Sequence, residues 1–119
     1  MKTILFDESA SETNNNFHEG FNVTVRRGDK YPKELAIGEV VEMKNLQGEE
    51  LGEARIEQMV VGPIEYIPQT ILQFEHDPKC REINGLIEVL QNCYHDPKID
   101  MHENVTAIVF LQIGKGDNQ

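Results

Sequence analysis

The stretch Val105-Thr106-Ala107-Ile108-Val109-Phe110-Leu111-Gln112-Ile113 is the strongest constraint on what this chain folds into. Side chains of a strand alternate between its two faces, and here both faces are mostly apolar. The stretch therefore reads as a central strand covered on both sides. A sheet with a layer on each face implies further strands and at least one helix, and the rest of the 119 residues must supply them. One domain of ordinary size accommodates that, so we read residues 1–119 as a single domain ending in a polar tail from Gly114 to Gln119.

Lys2 to Phe6 is a short β-prone run. Asp7 to Glu19 is acidic and contains Thr13-Asn14-Asn15-Asn16, poor formers of helix and strand, and is expected to be a mobile loop. It either closes over a neighbouring pocket or frays. In Phe21-Asn22-Val23-Thr24-Val25-Arg26-Arg27, alternation places Phe21, Val23 and Val25 on a buried face. Asn22, Thr24 and Arg26 fall on a face offering polar chemistry. Gly28-Asp29 signals a turn, and Lys30-Tyr31-Pro32-Lys33 reads as a basic, aromatic connection.

A hairpin follows, with Glu39 to Lys44 and Glu53 to Val61 flanking the turn Asn45-Leu46-Gln47-Gly48. Its second strand changes phase between Ile56 and Met59, which predicts a bulge near Glu57-Gln58. Pro68 to Phe74 has the signature of a helix with proline in its first turn. Asp77-Pro78 then opens a longer helix, with Ile83, Leu86, Ile87, Leu90 and Tyr94 as its core stripe and Gly85 in its interior. Strands, then helices, then a closing strand make this a small α+β fold on a curved sheet or β-barrel, with one or two helices before the C-terminal strand.

Composition narrows the functions. Twenty-one acidic residues against eleven basic ones give a formal charge of −10, which excludes a non-specific DNA binder. No apolar run approaches the roughly 20 residues that span a bilayer, and acid interrupts the start at Asp7-Glu8, so no membrane association and a cytoplasmic location are expected. Cys80 and Cys93 are too few for a disulfide framework. On one continuous helix they would lie about 20 Å apart along its axis, beyond bonding reach. His18, His76, His95 and His102 lack metal-ligand spacing, and no phosphate-cradling glycine loop occurs. Neither a metal nor a cofactor is expected.

Against the acidic background, Arg26, Arg27, Lys30 and Lys33 cluster within eight positions around Tyr31. Such a patch holds a phosphate and stacks a base; the competing reading is a set of surface ion pairs to Asp29, Glu34 and the hairpin glutamates. The segments Asp7 to Glu12 and Glu49 to Glu57 form acidic surface that either serves solubility or engages a basic protein partner.

The stretch Val23-Thr24-Val25-Arg26-Arg27-Gly28-Asp29-Lys30, followed by Ala36-Ile37-Gly38-Glu39-Val40-Val41-Glu42-Met43 and Gly52-Glu53-Ala54-Arg55-Ile56, resembles the ASCH domain family. The order of a closing helix and strand, Pro78 to Tyr94 and Val105 to Ile113, agrees, so the resemblance covers about residues 17–113. It implies a PUA-like β-barrel acting on RNA or its nucleosides. Single-stranded RNA or a nucleoside would be held by Asn22, Thr24, Arg26, Arg27, Lys30 and Tyr31. Some small members are acetylcytidine amidohydrolases and another resembles a ribonuclease. For such an enzyme the resemblance implies Thr24 as a catalytic residue, with Glu75 or Asp77 as the acid. The family's lysine, three residues before the threonine, is replaced by Phe21, so hydrolysis would need a substitute base from Lys30 or His76.

Overall fold

The computed structural model describes residues 1–10 and 17–115. Its strands are β1 (Thr3–Phe6), β2 (Phe21–Arg27), β3 (Val40–Asn45), β4 (Glu50–Pro63) and β5 (Asn104–Lys115). Helix α1 (Lys30–Glu34) follows β2, and α2 (Gln69–Leu72) and α3 (Ile83–Tyr94) lie between β4 and β5. The strands form one mixed sheet in the order β1-β3-β4-β5-β2. Only the β1–β3 pair is parallel.

β5 sits between β4 and β2, as its two apolar faces demand. Val105 and Ala107 join one core with Val23, Val25, Leu72, Leu86 and Leu90, which places α2 and α3 on that face. Ile108 and Phe110 join a second core with Ile4, Phe6, Val41, Met43 and Ile56. The expected α+β architecture is therefore present, with apolar packing on both faces of a five-stranded sheet.

The sheet curls. β1 and β2 are its opposite edges, yet Arg26 Nη1 on β2 donates to the carbonyl of Leu5 on β1 at 2.5 Å. The outer edge of β2 is covered by the segment after α2: Val23 N–H donates to Phe74 O (2.8 Å) and His76 N–H to Val23 O (2.9 Å). Covering an edge in this way removes a template for intermolecular pairing.

Several sequence expectations change. The alternating face of β2 that carries Asn22 and Thr24 is buried, because the second core and the 74–77 segment cover it. The basic, aromatic connection Lys30 to Lys33 is helical and forms most of α1. The long helix from Asp77 breaks: Asp77 caps only a single 3-10 turn, Pro78–Arg81, Glu82 is extended, and α3 restarts at Ile83. The turn folds back so tightly that a Cβ on Gly85 would lie 2.0 Å from the Lys79 carbonyl oxygen. Glycine is required there by contact.

The bulge expected near Glu57-Gln58 is present as a register shift between Ile56 and Gln58. The expected loop from Asp7 to Glu19 falls partly on residues 11–16, outside the described residues.

Candidate ligand pocket

The break before α3 swings the helix across the C-terminal half of β2, and a pocket of about 60 Å³ forms between them. Apolar walls come from Phe6 and from Leu86, Val89 and Leu90 of α3, while Thr24, Arg26, Glu75, His76 and Asp77 bring the polar groups. Thr24 and Arg26 share a face of β2 by strand alternation. Arg26 Nε donates to Thr24 Oγ1 at 3.1 Å, and the guanidinium lies over the Phe6 ring at 4.6 Å and near the Tyr31 ring at 5.9 Å.

Glu75 is fully buried beside them. It follows α2 by three residues, and the pairing of its flanking backbone with β2 aims its carboxyl at the strand. Val25 N–H donates to Glu75 Oε2 (3.1 Å) and Asp77 N–H to Glu75 Oε1 (3.2 Å). Burial penalises the charged form and pushes the carboxyl up to about 8, although the Asp77 amide and the Arg26 charge pull the other way. His76, packed edge-on to Phe6 at 5.1 Å and against Phe17 at 5.2 Å, is held down to about 3 by burial and, secondarily, by Arg26. At neutral pH the carboxyl keeps its proton and the imidazole is neutral. The 3.1 Å contact from His76 Nε2 to Glu75 Oε1 is therefore a hydrogen bond and not an ion pair.

Asp77 closes the pocket floor, its Oδ1 accepting from Lys79 N–H (3.0 Å) and its Oδ2 from the Cys80 thiol (3.6 Å). Both cysteines line the pocket, Cys80 from the 3-10 turn and Cys93 from α3, and both thiols are free. Burial pushes each thiol up, which disfavours the nucleophilic thiolate.

The residues singled out in the sequence separate into two groups. Thr24, Arg26, Glu75 and Asp77 converge at the pocket, and Tyr31 stands behind the guanidinium. The other candidates point elsewhere. Asn22 is buried as a loop anchor, its amide donating to His18 O (2.8 Å) and its oxygen accepting from His18 N–H (3.1 Å). Arg27 faces away and pairs with Asp96 (2.8 Å) and Glu103 (3.3 Å). Lys30 lies exposed over the Tyr31 ring at 5.0 Å, and Lys33 pairs with Asp29 at 3.5 Å. The four cations close in sequence are thus spread over several surfaces, and two of them are spent on ion pairs.

Phe21, expected on the buried face with Val23 and Val25, is instead 51 % exposed: it lies on the far side of β2 from Thr24, at the start of the strand, where its ring lines a separate groove with Ile71, Phe74 and Val109. Pocket residues that sequence reasoning passed over include Phe6, Val89, Cys93 and Tyr94. For α3 a signal existed: Leu86, Val89, Leu90 and Cys93 recur at three and four residue spacing. Among the described residues no group of three His, Cys, Asp or Glu side chains is placed to hold a metal ion, and no helix is long and apolar enough to cross a membrane.

No protein-family model matches the sequence, and no curated protein matches it. Among solved structures it is similar to protein EF3133 from Enterococcus faecalis V583, of family DUF984. The TM-score is 0.61 at 11% identity, over 85% of this chain. The chain spans 66% of the length of that protein. At that identity the likeness is one of fold, so the α+β architecture around the pocket is shared with a known protein while the pocket chemistry has to be read from this chain's own residues.

Proposed function

We propose that this chain is an ASCH-like, PUA-like barrel domain that binds a nucleoside or nucleotide at the pocket between β2 and α3. The observation that carries the reading is the convergence of Thr24, Arg26 and the buried Glu75 at one apolar-walled cavity. A hydroxyl, a guanidinium and a protonated carboxyl supply the donors and acceptors that recognise a base edge or a ribose hydroxyl. A nucleoside or nucleotide suits this site better than an RNA strand, because Arg27 and Lys33 are engaged in ion pairs and do not form a backbone-tracking groove.

The test is an amide chemical-shift titration at low salt with cytidine, acetylcytidine and a short single-stranded RNA. The reading expects saturable shifts at Thr24 to Arg26 and Glu75 to Asp77 with at least one of the nucleosides. Shifts confined to Arg27, Lys30 and Lys33 with RNA, or no shifts at all, would overturn it.

A second reading, an amidohydrolase, is supported by one specific feature. Glu75 holds a proton near neutrality in the cavity that contains Thr24, which is how a carboxyl serves as a general acid or base. Arg26 polarises the Thr24 hydroxyl by donating to it but cannot take its proton. Lys30 does not line the pocket and His76, held down to about 3, is too weak a base, so ionised Glu75 would take that role and acetylcytidine turnover would rise with pH toward 8. Absence of turnover across that range removes this reading and leaves binding intact.

A further inference from the structure

The chain carries ten more carboxylates than cations, yet among the described residues none lies within ion-pair distance of Arg26. Arg27 and Arg55 both have carboxylate partners, and Arg81 gives its Nε to the Glu75 carbonyl. Arg26 instead spends one N–H on Thr24 Oγ1 and one on Leu5 O, with Phe6 stacked on its face. A guanidinium has five N–H donors, so three are left without a protein acceptor among the described residues, in a half-buried cation lining a cavity.

The carboxyls that share this cavity are engaged by their own turns. Asp7 Oδ1 accepts from Ser9 N–H (2.9 Å) and Ser9 O–H (2.6 Å). Asp77 accepts from Lys79 N–H and Cys80, and Glu75 accepts from the Val25 and Asp77 amides. A fixed fork of unused donors, oriented by a hydroxyl, a carbonyl and an aromatic face, is the arrangement that recognises an oxyanion.

We propose that the pocket receives the oxyanion of its ligand, a carboxylate or a phosphate group, with Arg26 as the binding residue and Thr24 and Phe6 holding the guanidinium in position. The size agrees: a cavity of about 60 Å³ admits such a group. The inference rests on the reading of this cavity as the ligand site and adds the charge of what enters it. An anion there meets a cation already half-buried and oriented, so little reorganisation opposes binding.

The experiment uses the full chain with its Arg26 side-chain Nε–H signal assigned. Sodium acetate and inorganic phosphate are titrated against sodium chloride at matched ionic strength, then cytidine is compared with cytidine monophosphate. The inference expects a saturable Arg26 shift with acetate, with phosphate or with both, and none with chloride. A response to acetate alone assigns the carboxylate and a response to phosphate alone the phosphate; in the latter case the monophosphate binds at least about tenfold tighter than cytidine, as charge-assisted hydrogen bonds imply. Arg26→Gln, checked for a native amide spectrum, should abolish the anion-induced shifts that wild type shows at the Thr24 and Val25 backbone amides; the wild-type Arg26 signal decides the question if that variant does not fold. An Arg26 signal that responds to acetate and phosphate no more than to chloride overturns the inference. Cytidine binding with that null result leaves the nucleoside reading standing. An anion response without binding of either cytidine compound would instead sink the nucleoside reading and keep the anion site.

Discussion

Replacing Glu75 by glutamine keeps the shape of the side chain and removes its proton. In the folded protein the carboxyl is pushed up to about 8 from its ordinary 4.5, so between those pH values the folded state holds a proton that the unfolded state has released. Stability contributed by Glu75 is therefore fully present below pH 4.5 and is lost as pH rises through about 8. His76 acts with the opposite slope: its imidazole is held at about 3 against an ordinary 6.5, so stability rises with pH between those values. The two effects oppose one another between pH 4.5 and 6.5, and only Glu75 acts from 6.5 to 8. One linked proton is worth about 1.4 kcal/mol per pH unit, so wild-type stability should fall by about 2 kcal/mol across that upper window. Urea unfolding at closely spaced pH values measures this, with the m-value checked for constancy. Glu75→Gln should be flat from pH 6.5 to 8 and should rise with pH below 6.5, where His76 acts alone. Parallel curves for wild type and variant across the upper window would refute the assignment of a proton to the buried carboxyl.

Other outcomes follow from packing and from the thiols. Gly85→Ala should destabilise by about 1–3 kcal/mol, because the new Cβ meets the Lys79 carbonyl oxygen at 2.0 Å. Helix propensity alone would give a gain of up to about 1 kcal/mol, so the sign of the change in urea midpoint separates the two arguments. Leu86→Ala removes a fully buried side chain from the core under α3 and should cost about 2–5 kcal/mol by the same assay. Cys80, buried and bonded to Asp77, should resist alkylation in native protein and react only on unfolding; labelling of both cysteines followed by peptide mapping reads this directly, and rapid native labelling of Cys80 would count against the described packing.

Local patterns carried much of the architecture. The two apolar faces of residues 105–113 located the central strand, and a phase change within Glu53 to Val61 located the bulge, because both are properties of consecutive side chains. Alternation along β2 also placed Thr24 and Arg26 on one face, and both meet Glu75 at the pocket. What failed depended on distant partners. Arg27 looked like part of a basic patch until Asp96 and Glu103, far along the chain, were seen to claim it. Asn22 shared the parity of Thr24, but its amide closes the loop at His18 and Gly20. The helix break at Glu82 brings the Lys79 carbonyl against Gly85, a contact that no periodicity records.

The central claim is that ligand binding belongs to the pocket of Thr24, Arg26 and Glu75 and not to the surface cations. Isothermal titration of wild type, Thr24→Val and Arg27→Gln with the best-binding nucleoside or nucleotide tests it most directly. The account expects Thr24→Val to weaken binding about tenfold, through the lost hydroxyl and the loosened Arg26, while Arg27→Gln binds as wild type does. An unchanged Thr24→Val beside a weakened Arg27→Gln would contradict it and move the site to the outer surface.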